Sequence, residues 1–391
     1  MIISGIFETN FFTDLFEKRK VPAICNINGQ QTDTEPVNKS EIKQYEINLD
    51  RSITSLQLVP EYLNITISPD FHLKSVFQKK SYAANLKSCH SAEDYLKTYF
   101  KGNFRNNVRK SVRRVNICLN VDYKVFYGNI SSTEYTNLMA DFHNILKKRF
   151  EYLNTRNLVL ENWQHYLDST YTLIQKKEAC LFVIYNKKEP IAFALNYPFN
   201  DVLYFGVPTF DLSYSKFSLG NVVLYKILEW CFDNNFNFFD LGYGDFRNKI
   251  NWSNTNYNYN HLLICKNNSF KAKWYYGYLK YKYLAIDYLI SKNFHTFIRT
   301  LKNKVKGVKA TALPIFTFSE ITNNLATESS HLQEIEINGN TPPHIKMAVY
   351  DFVYTKIENI NDITIYRSST DLNTYIVKGK NNQLCLTFLT K

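Results

Sequence analysis

A run of residues with unusual chemistry extends from Asp240 to Trp252, with the sequence Asp-Leu-Gly-Tyr-Gly-Asp-Phe-Arg-Asn-Lys-Ile-Asn-Trp. Its two glycines indicate a tight backbone, and Asp240, Asp245, Arg247 and Lys249 place opposite charges around that backbone. Loops at strand ends frequently hold ligands. The alternative is a glycine-rich turn with a surface ion pair, and the local pattern alone leaves both interpretations open.

A second candidate site lies upstream, where Ser218-Leu-Gly220 opens an apolar periodic segment. The first turn of a helix has unpaired N–H groups and the positive end of a dipole, so it binds phosphate readily. Ser218 supplies a hydroxyl and a natural N-cap, and Gly220 allows close approach to the backbone. Many helices open with Ser-x-Gly for capping only, and that interpretation also stays open.

The elements that position both segments follow from alternation and turn residues. Residues 180–185, 191–197 and 202–207 predict three antiparallel strands, separated by turns at 186–189 and 200–201. Val223, Ile227, Trp230 and Cys231 repeat at helical spacing, which predicts a helix from residue 218 to 232. Residues 236–242 predict a further strand, so the order favours a mixed sheet with a helix on one face.

Residues 101–114 predict an amphipathic basic helix. Arg105, Arg109 and Arg113 share one face, and Phe104, Val108, Val112 and Val115 share another. Two interpretations fit this pattern. The helix is either a solvated element packed by its apolar stripe or an electropositive wall for an anionic ligand, nucleic acid being one candidate.

These motifs together resemble a known family. The stretches 205–224 and 239–252, with the basic helix upstream, are similar to the CelD-like branch of the GNAT superfamily N-acetyltransferases, which is related to the Fem-type aminoacyltransferases. The resemblance covers residues 85–265. Leu219 stands where the family has Pro, and Asn248 stands where the family has Tyr before Lys249.

The resemblance implies an α/β (α+β) fold class, with a GNAT-type mixed, mostly antiparallel sheet flanked by helices. It also implies a tandem GNAT arrangement with a small β-rich C-terminal extension. We predict a degenerate GNAT-like half at 1–115 and an acyltransferase domain at 116–270. A basic aromatic helical segment at 271–310 and a connector with a β-rich tail at 311–391 complete the prediction.

The resemblance further implies acetyl-CoA or another acyl-CoA as co-substrate, with no metal. Its pyrophosphate is expected at residues 217–222, and the backbone near Phe205 would polarise the thioester carbonyl. The predicted cofactor-binding residues are Phe205, Gly206, Val207, Phe217, Ser218, Leu219, Gly220 and Asn221. In the expected chemistry Asp240 or Asp245 accepts the amine proton and Tyr243 protonates the thiolate, while Arg149, Arg247 and Lys249 bind substrate.

Composition bounds the class of protein. The 391-residue chain is 45% hydrophobic, which excludes a disordered chain, and its net charge of +12 attracts anions. Its seven dispersed cysteines form no CxxC pair, and no run approaches a membrane span. The N-terminus lacks the basic region of a signal peptide. We therefore expect a reduced, cytoplasmic protein.

The C-terminal third carries no interpretable motif. Residues 271–290 predict a helix rich in Tyr and Lys, which favours a core element and leaves a membrane surface, a glycan or an acidic partner as alternatives. Residues 348–354, 363–366, 375–377 and 384–389 predict short strands, with a hairpin turn at 379–382.

The leading interpretation is an N-acyltransferase acting on an amine, such as an amino sugar of a surface polysaccharide. One alternative is a Fem-type transferase that uses aminoacyl-tRNA. The other is a non-catalytic GNAT-like scaffold that binds nucleic acid or an acidic glycan through its basic helices. The expected partner is a small-molecule or glycan amine, and nucleic acid is the less favoured partner.

Overall fold

The computed structural model describes residues 6–30, 42–47, 53–244, 247–266, 270–292, 315–320, 332–337 and 341–388. Its strands are, in chain order, β1 (Ile6–Asn10), β2 (Lys20–Pro22), β3 (Cys25–Gln30), β4 (Lys43–Tyr45), β5 (Ile53–Pro60), β6 (Leu63–Ile67), β7 (His72–Asn85), β8 (Val121–Phe126), β9 (Cys180–Asn186), β10 (Glu189–Phe199), β11 (Val202–Phe210), β12 (Phe238–Tyr243), β13 (Thr255–Cys265), β14 (Phe316–Ser319), β15 (Leu332–Ile335), β16 (Thr364–Ser368), β17 (Thr374–Lys378) and β18 (Gln383–Phe388).

The helices are α1 (Phe11–Phe16), α2 (Ala92–Tyr99), α3 (Gly102–Cys118), α4 (Ser132–Leu153), α5 (Leu158–Glu161), α6 (Trp163–Gln175), α7 (Leu219–Asp233), α8 (Arg247–Trp252), α9 (Phe270–Ser291) and α10 (Pro343–Lys356). Two 3₁₀ segments, Leu212–Phe217 and Ile360–Asp362, complete the described helical turns. The predicted helices at 101–114, 218–232 and 271–290 are confirmed as α3, α7 and α9.

The main sheet has nine strands in the order β1-β5-β13-β7-β12-β11-β10-β9-β8. The β1–β5 and β11–β12 pairs are parallel, and the other neighbours are antiparallel. The predicted fold class, a mixed and mostly antiparallel sheet flanked by helices, is therefore confirmed, as are the three strands at 180–185, 191–197 and 202–207.

Helices cover both faces of this sheet. Side chains of α2, α3, α7 and α10 share one core, and those of α1, α4 and α6 share the core on the opposite face. The alternation of β13 separates the faces, because Leu262 and Ile264 join the α1 core whereas Leu263 and Cys265 pack under α9. Strands from both predicted halves belong to one sheet, and α3 runs across residue 115, where a domain boundary is predicted.

A buried hydrogen-bond chain fastens α9 to the sheet. His261 of β13 is fully buried, with its Nε2 atom 2.6 Å from the Ser55 hydroxyl and its Nδ1 atom 2.6 Å from the Tyr283 hydroxyl. Burial, followed by the charge of Lys282, lowers the pKa of His261 to about 4. The imidazole is therefore neutral at neutral pH, and both of its nitrogens are satisfied.

The C-terminal residues form a five-stranded antiparallel sheet in the order β14-β18-β17-β16-β15. The predicted strand at 348–354 is wrong, because these residues belong to α10. Every residue from Ile345 to Tyr350 is buried, including Lys346, so this stretch has no exposed face that would reveal a helical period. The strands predicted nearby are confirmed as β16, β17 and β18, and Gly379 N–H donates to the Asn382 carbonyl in the predicted hairpin turn.

Helix α10 packs against the 3₁₀ segment Leu212–Phe217. The rings of Tyr214 and Tyr350 stack at 4.0 Å, and their hydroxyls lie 2.7 Å apart. Lys216 forms an ion pair with Asp351 at 3.2 Å, and the Phe217 ring packs on Tyr354 at 5.2 Å. The segment that leads into α7 is therefore held by the C-terminal part of the chain.

Candidate active site

Strands β11 and β12 separate in the middle of the main sheet. Their parallel register consists of three pairs and ends at Tyr204 with Asp240, although β11 continues to Phe210 and β12 to Tyr243. On the other side of β11 the register with β10 shifts between Leu195 and Asn196. The separated strand ends leave a gap in the sheet at the end where α7 begins.

Gly206 lies at the bulge in β11 and is required by its surroundings. A Cβ atom there would lie 2.8 Å from the Leu195 carbonyl oxygen and 3.0 Å from the Tyr197 ring. Only glycine avoids this clash with backbone. The predicted cofactor residues Phe205, Gly206 and Val207 therefore lie at the gap, with the side chains of Phe205 and Val207 nearly buried.

A cavity of about 530 Å³, the gap cavity, opens between the separated strands. Gly206 and Val207 line it from β11, Tyr243 lines it from β12, and Glu17 and Tyr166 line it from the helices on the α1 face. It combines apolar walls with a small number of convergent polar groups, as is typical of ligand sites.

Glu17, which follows α1, is the acidic residue in the lining of this cavity. Burial raises its pKa to about 7, against smaller opposing effects of Tyr166 and Lys18. The Tyr166 hydroxyl donates to Oε1 at 3.4 Å, and Nε2 of His165 lies 3.9 Å from Oε2. A carboxyl with this pKa is suited to accept a proton near neutral pH. Sequence reasoning missed Glu17, because no motif surrounds it.

Tyr243 lines the gap cavity together with Glu17. The Lys79 ammonium lies 4.2 Å over its ring, the Tyr259 ring packs against it at 5.7 Å, and Lys249 Nζ donates to its carbonyl at 2.8 Å. Burial and then the charge of Glu17 raise the pKa of Tyr243. Its hydroxyl therefore stays protonated at neutral pH and is a hydrogen-bond donor.

The two predicted bases are Asp240 and Asp245, and the structure describes Asp240 alone. Asp240 is fully buried, with Tyr62 donating to Oδ2 at 2.9 Å and Gly242 N–H donating to Oδ1 at 2.7 Å. Burial raises its pKa, and it does not line the gap cavity. Its geometry is that of a structural carboxyl that ties β12 to Tyr62, and a role as base stays a prediction. Asp245 lies outside the described residues.

The start of α7 differs in one detail from the prediction. Ser218 precedes the helix in a left-handed conformation, with φ of 54°, and its hydroxyl makes no capping hydrogen bond, so the predicted N-cap interaction is wrong. The amides of Asn221 and Val222 bond to its carbonyl instead. Phe217 and Leu219 are fully buried anchors. Ser218 is exposed and Gly220 is half-buried, so the turn is accessible to a ligand at these two residues.

A cation and an aromatic ring lie beside this turn. A Cβ atom on Gly220 would lie 3.7 Å from the Phe210 ring and 4.0 Å from Asn248 Nδ2. The Arg149 guanidinium lies 4.1 Å over the Phe210 ring, and burial lowers the pKa of Arg149. No ion pair joins Arg149 to a described residue. Asn221 is oriented by Trp252, whose Nε1 donates to its side-chain oxygen at 3.1 Å.

The structure places the other predicted substrate residues in different environments. Lys249 lies beside Tyr243, and burial lowers its pKa to about 8, against the opposing charge of Asp240. Arg247 begins α8 with an exposed side chain. Lys249 therefore retains its charge at neutral pH close to the gap, and the substrate roles of both residues stay predictions.

The basic face of α3 lines a groove of its own, of about 500 Å³. Arg109, Lys110, Arg113 and Arg114 line it together with Ile117 and Ile357. Arg109 is paired with Glu93, and Arg114 donates to the Tyr354 carbonyl at 2.6 Å. Val108 and Val115 are fully buried on the opposite face of α3, as predicted.

Comparison with known proteins shows what the central part of the chain is similar to. Residues 102–250 match the family model described as an acetyltransferase (GNAT) domain. The part of the chain that contains β11, α7 and β12 is therefore similar to GNAT acetyltransferase domains. No curated protein matches the sequence. Among the described residues no group of three or more His, Cys, Asp or Glu side chains is arranged to hold a metal ion, and no helix is long and apolar enough to span a membrane.

Several solved structures are similar to the chain at low identity. FemX is 12% identical, with 57% of this chain and 73% of FemX covered and a TM-score of 0.37. L-PGS from Bacillus licheniformis is 10% identical, with coverages of 61% and 73% and a TM-score of 0.35. A tandem GNAT protein from the clavulanic acid biosynthesis pathway is 10% identical, with coverages of 56% and 66% and a TM-score of 0.31.

Proposed function

We propose that the protein transfers an acyl group from acyl-CoA to an amine. The observation that carries the proposal is the gap between β11 and β12. At one end the gap opens beside the start of α7. At the other end it opens into the cavity that Glu17 and Tyr243 line. One site can therefore receive a thioester from the α7 side and an amine from the α1 side.

The cofactor phosphates bind at the first turn of α7 in this proposal. The amides near Gly220 and the helix dipole attract the pyrophosphate, and Arg149 supplies a full positive charge next to Phe210. Phe217 and Leu219 hold the turn in place by burial and do not contact the cofactor through their side chains. This assigns Arg149 to the cofactor and not to the acceptor.

The transfer proceeds in the gap cavity. The amine nitrogen attacks the thioester carbonyl, whose oxygen is stabilised by backbone N–H groups near Gly206. Glu17 accepts the proton that the amine loses. As the C–N bond forms and the C–S bond breaks, Tyr243 donates a proton to the departing thiolate, and proton exchange with water then restores both side chains. The products are an amide and free CoA.

Finer statements belong to the same proposal. The motifs at 205–224 and 239–252 support a place in the CelD-like branch, an acetyl group as the transferred acyl and an amino sugar of a surface polysaccharide as acceptor. A cytoplasmic location and the predicted C-terminal segments at 271–310 and 311–391 are proposed together with this assignment.

A second function has one specific observation in its favour. The groove on α3, with Arg109, Lys110, Arg113 and Arg114, has the charge that suits tRNA. It favours a Fem-type transfer of an aminoacyl group. In that case aminoacyl-tRNA and not acyl-CoA would be the donor.

Calorimetry with acetyl-CoA tests the leading function. The wild-type protein is expected to bind in the micromolar range, and Gly220→Trp is expected to abolish binding because the indole would fill the space between Phe210 and Asn248. Gly277→Trp is the matched control, since a Cβ at Gly277 meets nothing within 4 Å. Equal binding of acetyl-CoA by both variants would show that the cofactor does not bind at the start of α7. Absence of binding by the wild type would favour the tRNA-dependent function.

A further inference from the structure

A second cavity, the Arg19 cavity, adjoins the gap cavity. It has a volume of about 300 Å³ and shares Glu17, Lys18 and His165 with its neighbour. Arg19, Lys43 and Lys176 belong to the lining of the Arg19 cavity alone. A single ligand can therefore extend from the proposed base at Glu17 into a cavity rich in cationic side chains.

Arg19 is a buried cation with unused donors. Arg19 is a lining residue of the cavity although it is only 4% exposed, and its backbone is left-handed, with φ of 51°. Nη2 donates to the carbonyls of Glu178 and Pro198. Nε and Nη1 are buried and have no hydrogen-bond partner among the described residues. Buried donors of a charged group are costly when unpaired, so these two N–H groups are suited to an oxyanion.

The charges around the cavity are unbalanced. Lys18 is paired with Asp14 at 3.1 Å, whereas Lys43 and Lys176 form no ion pair with a described residue. The acidic residues of the lining are Glu17 and Glu178. Glu17 has a pKa of about 7, so it is only partly ionised at neutral pH. The exposed lysines at the mouth and the buried guanidinium inside therefore attract a negatively charged group.

We propose that the amine acceptor carries an oxyanion, a phosphate or a carboxylate, which binds in the Arg19 cavity. This inference rests on the proposed function, because it takes Glu17 as the site of the reacting amine. Arg19 holds the anion with two N–H groups, and Lys43 and Lys176 screen it at the mouth. The acceptor class is then an anionic amine, such as an amino-sugar phosphate or an amino acid.

Binding of inorganic phosphate to the full chain, measured by calorimetry without cofactor, tests the cavity independently of catalysis. Arg19 substitutions risk misfolding because Arg19 supports two carbonyls, so Lys43→Ala with Lys176→Ala is the test variant. We expect its affinity to fall by about fivefold, as two partly screened contacts are lost. The control, Lys378→Ala with Lys380→Ala, removes the same charge from residues outside both cavities and is expected to bind as the wild type does.

Equal affinities of the two double variants, or no saturable phosphate binding by the wild type, would overturn the inference. Transfer assays then identify the anion. The kcat/KM for glucosamine 6-phosphate is compared with that for glucosamine, and the kcat/KM for glycine with that for glycinamide. A higher value for the anionic member of a pair identifies phosphate or carboxylate as the group that binds. Equal kcat/KM within both pairs would refute the inference while leaving the acyltransferase function in place. Failure to bind acetyl-CoA would refute that function, with phosphate binding still deciding the cavity.

Discussion

The Oε2 atom of Glu17 lies 3.9 Å from the Nε2 atom of His165, and both side chains line the gap cavity and the Arg19 cavity. At this distance His165 makes no hydrogen bond to the carboxylate. Burial has the largest effect on the pKa of Glu17 and raises it to about 7, against smaller lowering effects of the Tyr166 hydroxyl and the Lys18 charge. The carboxyl can gain and lose a proton near neutral pH.

Replacement of the proposed base is the first prediction. Glu17→Gln is expected to lower kcat/KM by roughly 100- to 10,000-fold, because the amine loses its proton acceptor. In the wild type kcat/KM, expressed per concentration of neutral amine, should rise tenfold per pH unit below about pH 7 and level off above it, because the base works only when ionised. Stopped-flow assays of transfer between pH 5.5 and 8.5 measure both effects.

The control for this variant is stability. Glutamine keeps the shape of the side chain and removes a buried charge, so Glu17→Gln should unfold at the same urea concentration as the wild type or at a higher one above pH 7. A variant with the wild-type pH profile and rate would eliminate Glu17 as the base.

The second prediction concerns the proton donor. Tyr243→Phe removes the hydroxyl and retains the ring that Lys79 and Tyr259 contact. Single-turnover transfer should slow by up to about 100-fold with acetyl-CoA affinity unchanged, because the thiolate leaves unprotonated. An acyl donor with a less basic leaving thiol should recover part of the rate. Equal slowing with both donors would contradict the role.

The third prediction separates structure from chemistry at Asp240. Asp240→Ala should lower the free energy of unfolding by about 1–3 kcal/mol, because the Tyr62 hydroxyl and the Gly242 amide lose their acceptor. Asp240→Asn keeps an acceptor and should retain most of the transfer rate. Urea denaturation and single-turnover assays measure the two quantities, and a rate loss in Asp240→Asn without loss of stability would restore Asp240 as the base.

The fourth prediction is a pH dependence of stability at His261. The folded chain holds this imidazole with a pKa of about 4, so between about pH 6.5 and 4 the unfolded chain binds the proton and the folded chain does not. Stability is therefore lost as the pH falls through this range, by about 3 kcal/mol in total. Urea titrations should show a smaller loss for His261→Gln. The exposed His90→Gln should keep the wild-type dependence.

The sequence predicts the centre of the domain well, because local patterns determine it. Strands β9, β10 and β11 alternate between clear turns, and α7 repeats its apolar residues at helical spacing, so their bounds lie close to those predicted. The same reasoning predicts the turn at Ser218. It does not predict the left-handed backbone of Ser218, because a serine at this position is more commonly an N-cap.

The sequence alone does not predict the place of Glu17 or the Arg19 cavity, for a physical reason. Their place in the site depends on α1 crossing the sheet, where the Phe12 ring packs on Tyr204 at 4.4 Å and Arg19 donates to the Pro198 carbonyl at 2.5 Å. These contacts join residues far apart in the chain, and no local pattern around residues 11–19 encodes them. The same limit explains α10, in which residues 345–350 are all buried and show no helical period.

The contact between α10 and the segment Leu212–Phe217 has a consequence for the order in which the protein matures. The main sheet uses strands that end with β13, so it can assemble before the C-terminal residues leave the ribosome. Tyr350, Asp351 and Tyr354 hold the approach to α7, and they are synthesised after every strand of the main sheet. The nascent chain therefore acquires its sheet before α10 can pack on the segment Leu212–Phe217, so a chain terminated before α10 would be folded at its centre and unfinished at the start of α7.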